Sequence, residues 1–282
     1  MSITGQVNIN GIAVPAFFYG TAWKKDSTQG FVYEALKAGF RGIDTANQLK
    51  HYNEAGVGAA LVKAYAAGIV KREDLFLQTK FTDLSGQDHR LPYDASADLH
   101  TQVMQSYSTS LEHLNTAYID SYVLHGPYSG GALGAEDQEV WATMESLCRA
   151  GRTTALGISN VSFNQLVELC KFAGVKPSFV QNRCYASSKW DSQIRAYCCQ
   201  HGISYQGFSL LTANRTELAS PRILAIAKKY GRTVPQIVFQ FCFQIGIIPL
   251  TGTSSAQHMR EDLATHDFEL STDEIALIES VG

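Results

Sequence analysis

Short apolar runs alternate along this chain with longer stretches in which apolar residues return every three or four positions. The runs Phe17 to Thr21, Arg41 to Asp44, Leu75 to Lys80, Ser121 to His125, Thr154 to Ser159, Phe179 to Gln181, Ser204 to Phe208 and Ile247 to Leu250 predict strands. Helical patterns fall between them: Ser27 to Ala38, Asn53 to Ala67, Ala95 to Leu114, Asp137 to Ala150, Ser162 to Ala173, Ser192 to Gln200, Thr233 to Gln244 and Ser255 to Leu263. Gly39, Gly68, Gly151 and Gly174 follow helix ends, where a left-handed residue stops the winding. Strict alternation predicts a parallel α/β sheet, and eight repeats with right-handed crossovers predict a closed (β/α)8 TIM barrel.

The segment Gln6 to Pro15 carries Asn10-Gly11 between alternating apolar residues, the signature of a hairpin, which is expected to cap the barrel floor. Arg222 to Tyr230 and Thr272 to Glu279 read as extra helices, and Phe81 to Asp94 as the longest loop. At 282 residues, a single domain spanning residues 1–282 is the expectation for a barrel.

Composition narrows the function. No apolar run approaches the roughly 18 residues of a membrane span, and Met1 to Gly5 lack a secretory pattern, so a soluble, cytoplasmic chain is expected. A net charge of -3 offers no basic footprint for nucleic acid or an anionic membrane. The six cysteines show no metal-ligand spacing, so buried thiols and no metal are expected.

Reactive groups of α/β barrels sit where strands end at the C-terminal face. That rule selects Asp44, with Tyr52 shortly beyond it, Lys80 and His125. Singly each has an ordinary reading: a turn cap, a packed phenol, a solvated ammonium, a core histidine. Jointly they suit proton chemistry. A phenol with an ordinary pKa near 10 donates poorly unless a nearby cation stabilises its anion. Lys80 supplies that charge, Asp44 holds the ammonium, and His125 polarises a carbonyl. A hydride is missing from the group, and a nicotinamide cofactor would bring it.

The chain resembles the aldo-keto reductase family along almost its whole length. The resemblance is carried by Gly20-Thr21-Ala22-Trp23, Ala35 to Ala46, Tyr52-Asn53-Glu54 and Leu75 to Lys80. It continues through Asp120 to His125, Gly157-Ile158-Ser159-Asn160 and Thr251-Gly252-Thr253-Ser254-Ser255. By that resemblance Tyr52 is the proton donor, Lys80 and Asp44 its activating pair, and His125 orients the carbonyl. Ser159, Asn160 and Gln181 match carboxamide-binding positions, Thr21 and Trp23 lie near cofactor and pocket, and Phe208 stands where the family stacks a tyrosine on the nicotinamide. Ser209 and Leu211 would follow the pyrophosphate.

Three departures stand out. Lys50-His51-Tyr52 looks like a small insertion, which makes His51 the competing acid; Gly126 replaces a bulky aromatic wall; and the chain stops soon after its last helix. The last two imply an open site, with Tyr128 and Trp190 as candidate lining residues. Gly56-Val57-Gly58 is not a Rossmann fingerprint. Thr253, Ser254 and Ser255 at a helix start, with His258 and Arg260, imply a 2'-phosphate and hence NADPH, with NADH the alternative. The leading expectation is therefore an NAD(P)H-dependent monomeric enzyme reducing a small-molecule aldehyde or ketone. The alternatives are a nicotinamide-binding sensor with little turnover, and a cofactor-free aldolase or isomerase forming a Schiff base on Lys80.

Overall fold

A computed structural model describes residues 5–282. A two-stranded antiparallel hairpin, β1 (Gln6–Ile9) and β2 (Ile12–Pro15), precedes the barrel. Its turn residues Asn10 and Gly11 lie at φ 52° and 88°, the left-handed pair such a tight turn demands. The barrel strands are β3 (Phe18–Gly20), β4 (Gly42–Asp44), β5 (Phe76–Phe81), β6 (Ile119–Leu124), β7 (Thr153–Ser159), β8 (Phe179–Arg183), β9 (Ser204–Phe208) and β10 (Ile247–Thr251). All eight pair in parallel and close β10 onto β3, so the predicted barrel is observed.

Helices α1 (Thr28–Ala38), α2 (Glu54–Ala66), α3 (Leu99–Leu114), α4 (Ala135–Arg149), α5 (Phe163–Phe172) and α6 (Ser192–Gln200) follow successive strands. After β9 come α7 (Arg215–Leu218), α8 (Pro221–Tyr230) and α9 (Val234–Gln244); after β10 come α10 (Ala256–Leu263) and α11 (Thr272–Glu279). The short α7 is not visible in the hydrophobic pattern. Helix α3 begins at Leu99 rather than Ala95, because the Asp98 side chain accepts from Thr101 N at 2.7 Å and caps it there.

Gly39, Gly68 and Gly151 do stop their helices at positive φ, whereas Gly174 does not. Gly174 has another reason to be glycine. Its N–H donates to Glu145 Oε1 at 2.7 Å, and a Cβ there would stand 2.6 Å from Arg149 Nη2.

The floor is apolar. Phe18, Phe76, Phe179, Ile248 and Leu250 pack beneath the barrel against Ile9 and Val14 of the hairpin, which closes that end as expected. Gly42 makes room for the Phe18 ring, whose atoms would lie 2.9 Å from a Cβ. Above this floor the interior turns polar. Gln78 and Gln181 each donate to Asp44 Oδ1, at 2.7 and 2.9 Å, and each donates to Gln206 Oε1, at 2.8 and 2.9 Å. A buried amide layer thus supports the C-terminal mouth.

Candidate active site at the barrel mouth

Asp44 closes β4, Lys80 lies near the end of β5, and His125 follows β6 directly, so neighbouring strands bring them together. Tyr52 arrives from the turn before α2, fixed by its N–H to Gln48 O at 2.9 Å. Lys80 is fully buried and spends its three protons on Asp44 Oδ1 and Oδ2, at 2.7 Å each, and on Thr45 O at 2.8 Å. Burial pulls its pKa down while Asp44 opposes the shift. With the amide layer beneath, the Asp44 carboxylate accepts from Lys80, Gln78 and Gln181, which satisfies a buried charge that would otherwise be costly.

The Lys80 ammonium stands 5.4 Å from the centre of the Tyr52 ring, and the His125 ring packs edge-on to it at 5.9 Å. The sequence placed these four groups together, and the structure brings them together. One electrostatic expectation is reversed. Burial, and then the negative charge of Asp44, raise the Tyr52 phenol well above its ordinary value, where the Lys80 ammonium was expected to lower it.

His125 is held in a neutral state. Desolvation, reinforced by Lys80 and His51, lowers its pKa to about 3. Its Nδ1 lies 2.6 Å from the buried Thr82 hydroxyl. If Nδ1 carried the proton, the hydroxyl proton of Thr82 would have no acceptor among the described residues. If the hydroxyl donates to Nδ1, the Thr82 proton is used and Nε2–H is left as a donor without a partner among the described residues. Thr82 is itself pinned by the long loop, since Tyr93 Oη donates to its carbonyl at 2.9 Å.

The competing His51 sits on the rim. Its Nδ1 is 2.7 Å from Gln48 Oε1, its ring centre is 4.0 Å from that of the exposed Trp23, and burial lowers its pKa. Trp23 adopts φ 65° and donates its N–H to His51 O at 2.7 Å, so the inserted turn and the first loop brace each other. Thr21 is buried, its hydroxyl on Asp44 O at 3.0 Å. A Cβ on Gly126 would stand 3.7 Å from Asn160 Cβ and 3.9 Å from Ser159 O, ordinary contacts, so a side chain would fit where the bulky wall is missing.

The candidate cofactor positions line one side of the mouth. Ser159 Oγ donates to Gln181 O at 2.6 Å, and Asn160, at φ 53°, donates to His125 O at 2.8 Å. The side-chain oxygens of Asn160 and Gln181 make no hydrogen bond among the described residues, and the Phe208 ring is half-exposed beside them. Free acceptors next to an aromatic face fit a flat ring bearing a carboxamide, as nicotinamide does. Ser209, at φ 56°, and half-exposed Leu211 continue from Phe208. After the neighbouring strand β10, Ser255 caps α10, accepting from His258 N at 3.3 Å, while Ser254, His258 and Arg260 are exposed and Thr253 half-exposed.

Two candidate lining residues are placed differently from one another. Tyr128 is half-buried, and its enclosed hydroxyl has no hydrogen-bond partner among the described residues. Trp190 is fully buried and does not line the mouth, because Nε1 donates to Ile278 O at 3.0 Å and its ring packs on Phe241. Sequence reasoning also passed over Lys24. Its ammonium is buried against Gly252 O at 2.7 Å, facing the loop that leads to Ser255, and burial lowers its pKa to about 8. A lysine directly after the matched Gly-Thr-Ala-Trp segment was the available signal.

A closed eight-stranded parallel barrel with an acid, an ammonium, a phenol and an imidazole converging at its C-terminal mouth defines the general class. The chain belongs to the aldo/keto reductase family, whose model matches residues 16–282. It is 30% identical over 276 residues to the uncharacterized oxidoreductase YtbE of Bacillus subtilis (strain 168), covering 97% of this chain and 91% of that one. It is 27% identical to the NADP-dependent D-sorbitol-6-phosphate dehydrogenase of Malus domestica, covering 96% and 92%. The crystal structure of an aldo/keto reductase from Brucella melitensis superimposes with a TM-score of 0.83 at 28% identity, covering 99% of this chain and 100% of that one. Among the described residues, no helix is long and apolar enough to cross a membrane.

Proposed function

We propose that this chain reduces an aldehyde or ketone to an alcohol with NADPH, Tyr52 giving the proton. The observation that carries the reading is the placement of the Tyr52 phenol between the buried Lys80–Asp44 pair and a neutral His125. A reduced nicotinamide, when bound, supplies the hydride that no side chain can. His125 Nε2–H donates to the carbonyl oxygen and polarises it. Tyr52 keeps its proton until that oxygen becomes an alkoxide, a stronger base than phenolate, and then transfers it from Oη. Lys80 stabilises the phenolate left behind.

The residues for holding the cofactor follow the same geometry. Ser159, Asn160 and Gln181 take the carboxamide, Phe208 the ring face, and Ser209, Leu211 and Lys24 the pyrophosphate stretch. Thr253, Ser254, Ser255, His258 and Arg260 receive the 2'-phosphate, which favours NADPH over NADH. The Malus domestica relative is also NADP-dependent. In this reading the whole barrel works as one domain. Mixing the purified chain with NADPH or NADH and a panel of aldehydes, ketones and 1,2-dicarbonyls tests the reading through loss of reduced-nicotinamide absorbance. Turnover with a preference for NADPH supports it; nicotinamide binding without turnover would favour the sensor.

A further inference from the structure

Beside the reacting groups lies an open cleft of about 910 Å³, formed by the turns after β7 and β8. It adjoins the site through Asn160, which lines the cleft and donates to His125 O at 2.8 Å. Arg183 and Lys189 line it too, both exposed, and among the described residues neither takes part in an ion pair or a side-chain hydrogen bond. The Arg183 guanidinium lies 5.6 Å from the Phe208 ring, at the junction of cleft and mouth. Asp191 is the one carboxylate among the lining residues, and its Oδ2 is occupied by Asn182 Nδ2 at 3.1 Å and Tyr205 Oη at 2.8 Å.

The backbone that presents Lys189 is unusual. Lys189, Trp190 and Asp191 adopt φ 51°, 54° and 59° in succession, a left-handed run that L-residues avoid. The buried Trp190 and the doubly bonded Asp191 hold this run in place, so the cation beside them is carried on a fixed turn rather than a loose loop. Two cations without an ion-pair partner, Arg183 at the end of β8 and Lys189 on the pinned turn, outnumber the single Asp191 carboxylate of the cleft and form a place for negative charge next to a carbonyl-orienting histidine.

We infer that the cleft is an anion subsite, and that the carbonyl compound this chain prefers carries a carboxylate or phosphate held by Arg183 with help from Lys189. The inference gives a substrate class to the reductase reading and rests on it for turnover. Its direct test compares 4-carboxybenzaldehyde and 4-formylphenyl phosphate with the neutral 4-formylbenzamide on wild type, Arg183→Gln, Arg183→Lys and Lys189→Gln. The expected result is a kcat/KM preference for the anionic aldehydes, which Arg183→Gln lowers by about five- to tenfold through KM, leaving the amide within about twofold. Arg183→Lys restores part of it, and raised salt erodes it. The better of the two anionic aldehydes tells carboxylate from phosphate.

Binding of terephthalate and phenyl phosphate, measured calorimetrically on the same proteins, needs no turnover. Binding that depends on Arg183 without any carbonyl reduction would keep the subsite and sink the reductase reading. Equal kcat/KM for charged and neutral aldehydes, or losses in Arg183→Gln that ignore substrate charge, would overturn the subsite.

Discussion

The Thr82 hydroxyl lies 2.6 Å from His125 Nδ1, and this contact decides which ring nitrogen can donate to a substrate. Thr82→Val removes the donor, so Nδ1 can take the proton and Nε2 can turn into an acceptor. The expected outcome is a fall of about tenfold in kcat with little change in cofactor affinity, while Thr82→Ser stays near wild type. A loss in Thr82→Val confined to thermal stability would make the contact structural only.

The His125 shift sets a pH dependence. A lowered histidine pKa means the neutral ring persists as pH falls, and protonation begins only on approach to about 3. Nitrogen-15 spectra of the imidazole should therefore show the neutral Nε2–H form from about pH 8 down to about pH 5. A midpoint near the ordinary 6.5 would contradict this burial account.

Lys24 should act on cofactor binding and not on the chemical step. Replacing it with Met removes a charge-assisted contact worth about 1.5 kcal/mol, or roughly tenfold in the NADPH dissociation constant. Burial lowers the ammonium to about 8, so wild-type affinity should decline as pH rises past that value. The Lys24→Met protein should lack the decline, and fluorescence titration across that range checks both points.

Asp262 carries a stability dependence of opposite origin. Burial raises its carboxyl to about 6, although Thr251 Oγ1 donates to it at 2.8 Å. A raised folded-state value means its contribution is full below the unfolded value near 3.9 and is lost as pH climbs through about 6. Asp262→Asn should flatten the denaturation midpoint across that window and stabilise the chain at pH 7 by about 1 to 2 kcal/mol.

Gly58 tests how the fold supports Tyr52. A Cβ there would stand 2.0 Å from His113 O, a backbone atom at the end of α3, so neither helix can give way cheaply. Gly58→Ala should destabilise by about 3 kcal/mol in urea unfolding. Because α2 begins just after Tyr52, kcat should fall as well.

The barrel was legible because its signals are local: apolar runs such as Ser204 to Phe208 and stops such as Gly39 are set by near neighbours. Asp44, Lys80 and His125 were legible because strand ends and topology place them without any knowledge of side-chain contacts. What stayed hidden depends on contacts between distant positions. Gln78 and Gln206 meet across 128 residues, and Thr82 and His125 across 43. An apolar run containing one glutamine does not say which face that glutamine takes. Trp190 was expected to line the site, and only the Ile278 carbonyl and Phe241, both distant in sequence, explain why it folds inward instead. The reversed Tyr52 shift has the same source, since sequence cannot weigh burial and Asp44 against one ammonium.

The central claim is that Tyr52 gives the proton, and Tyr52→Phe measures it most directly. Single-turnover oxidation of bound NADPH by a reducible aldehyde should slow by at least about a hundredfold in the variant, with NADPH binding unchanged. A Tyr52→Phe protein that turns over like wild type would contradict the account and make His51, on the same turn, the acid to replace next.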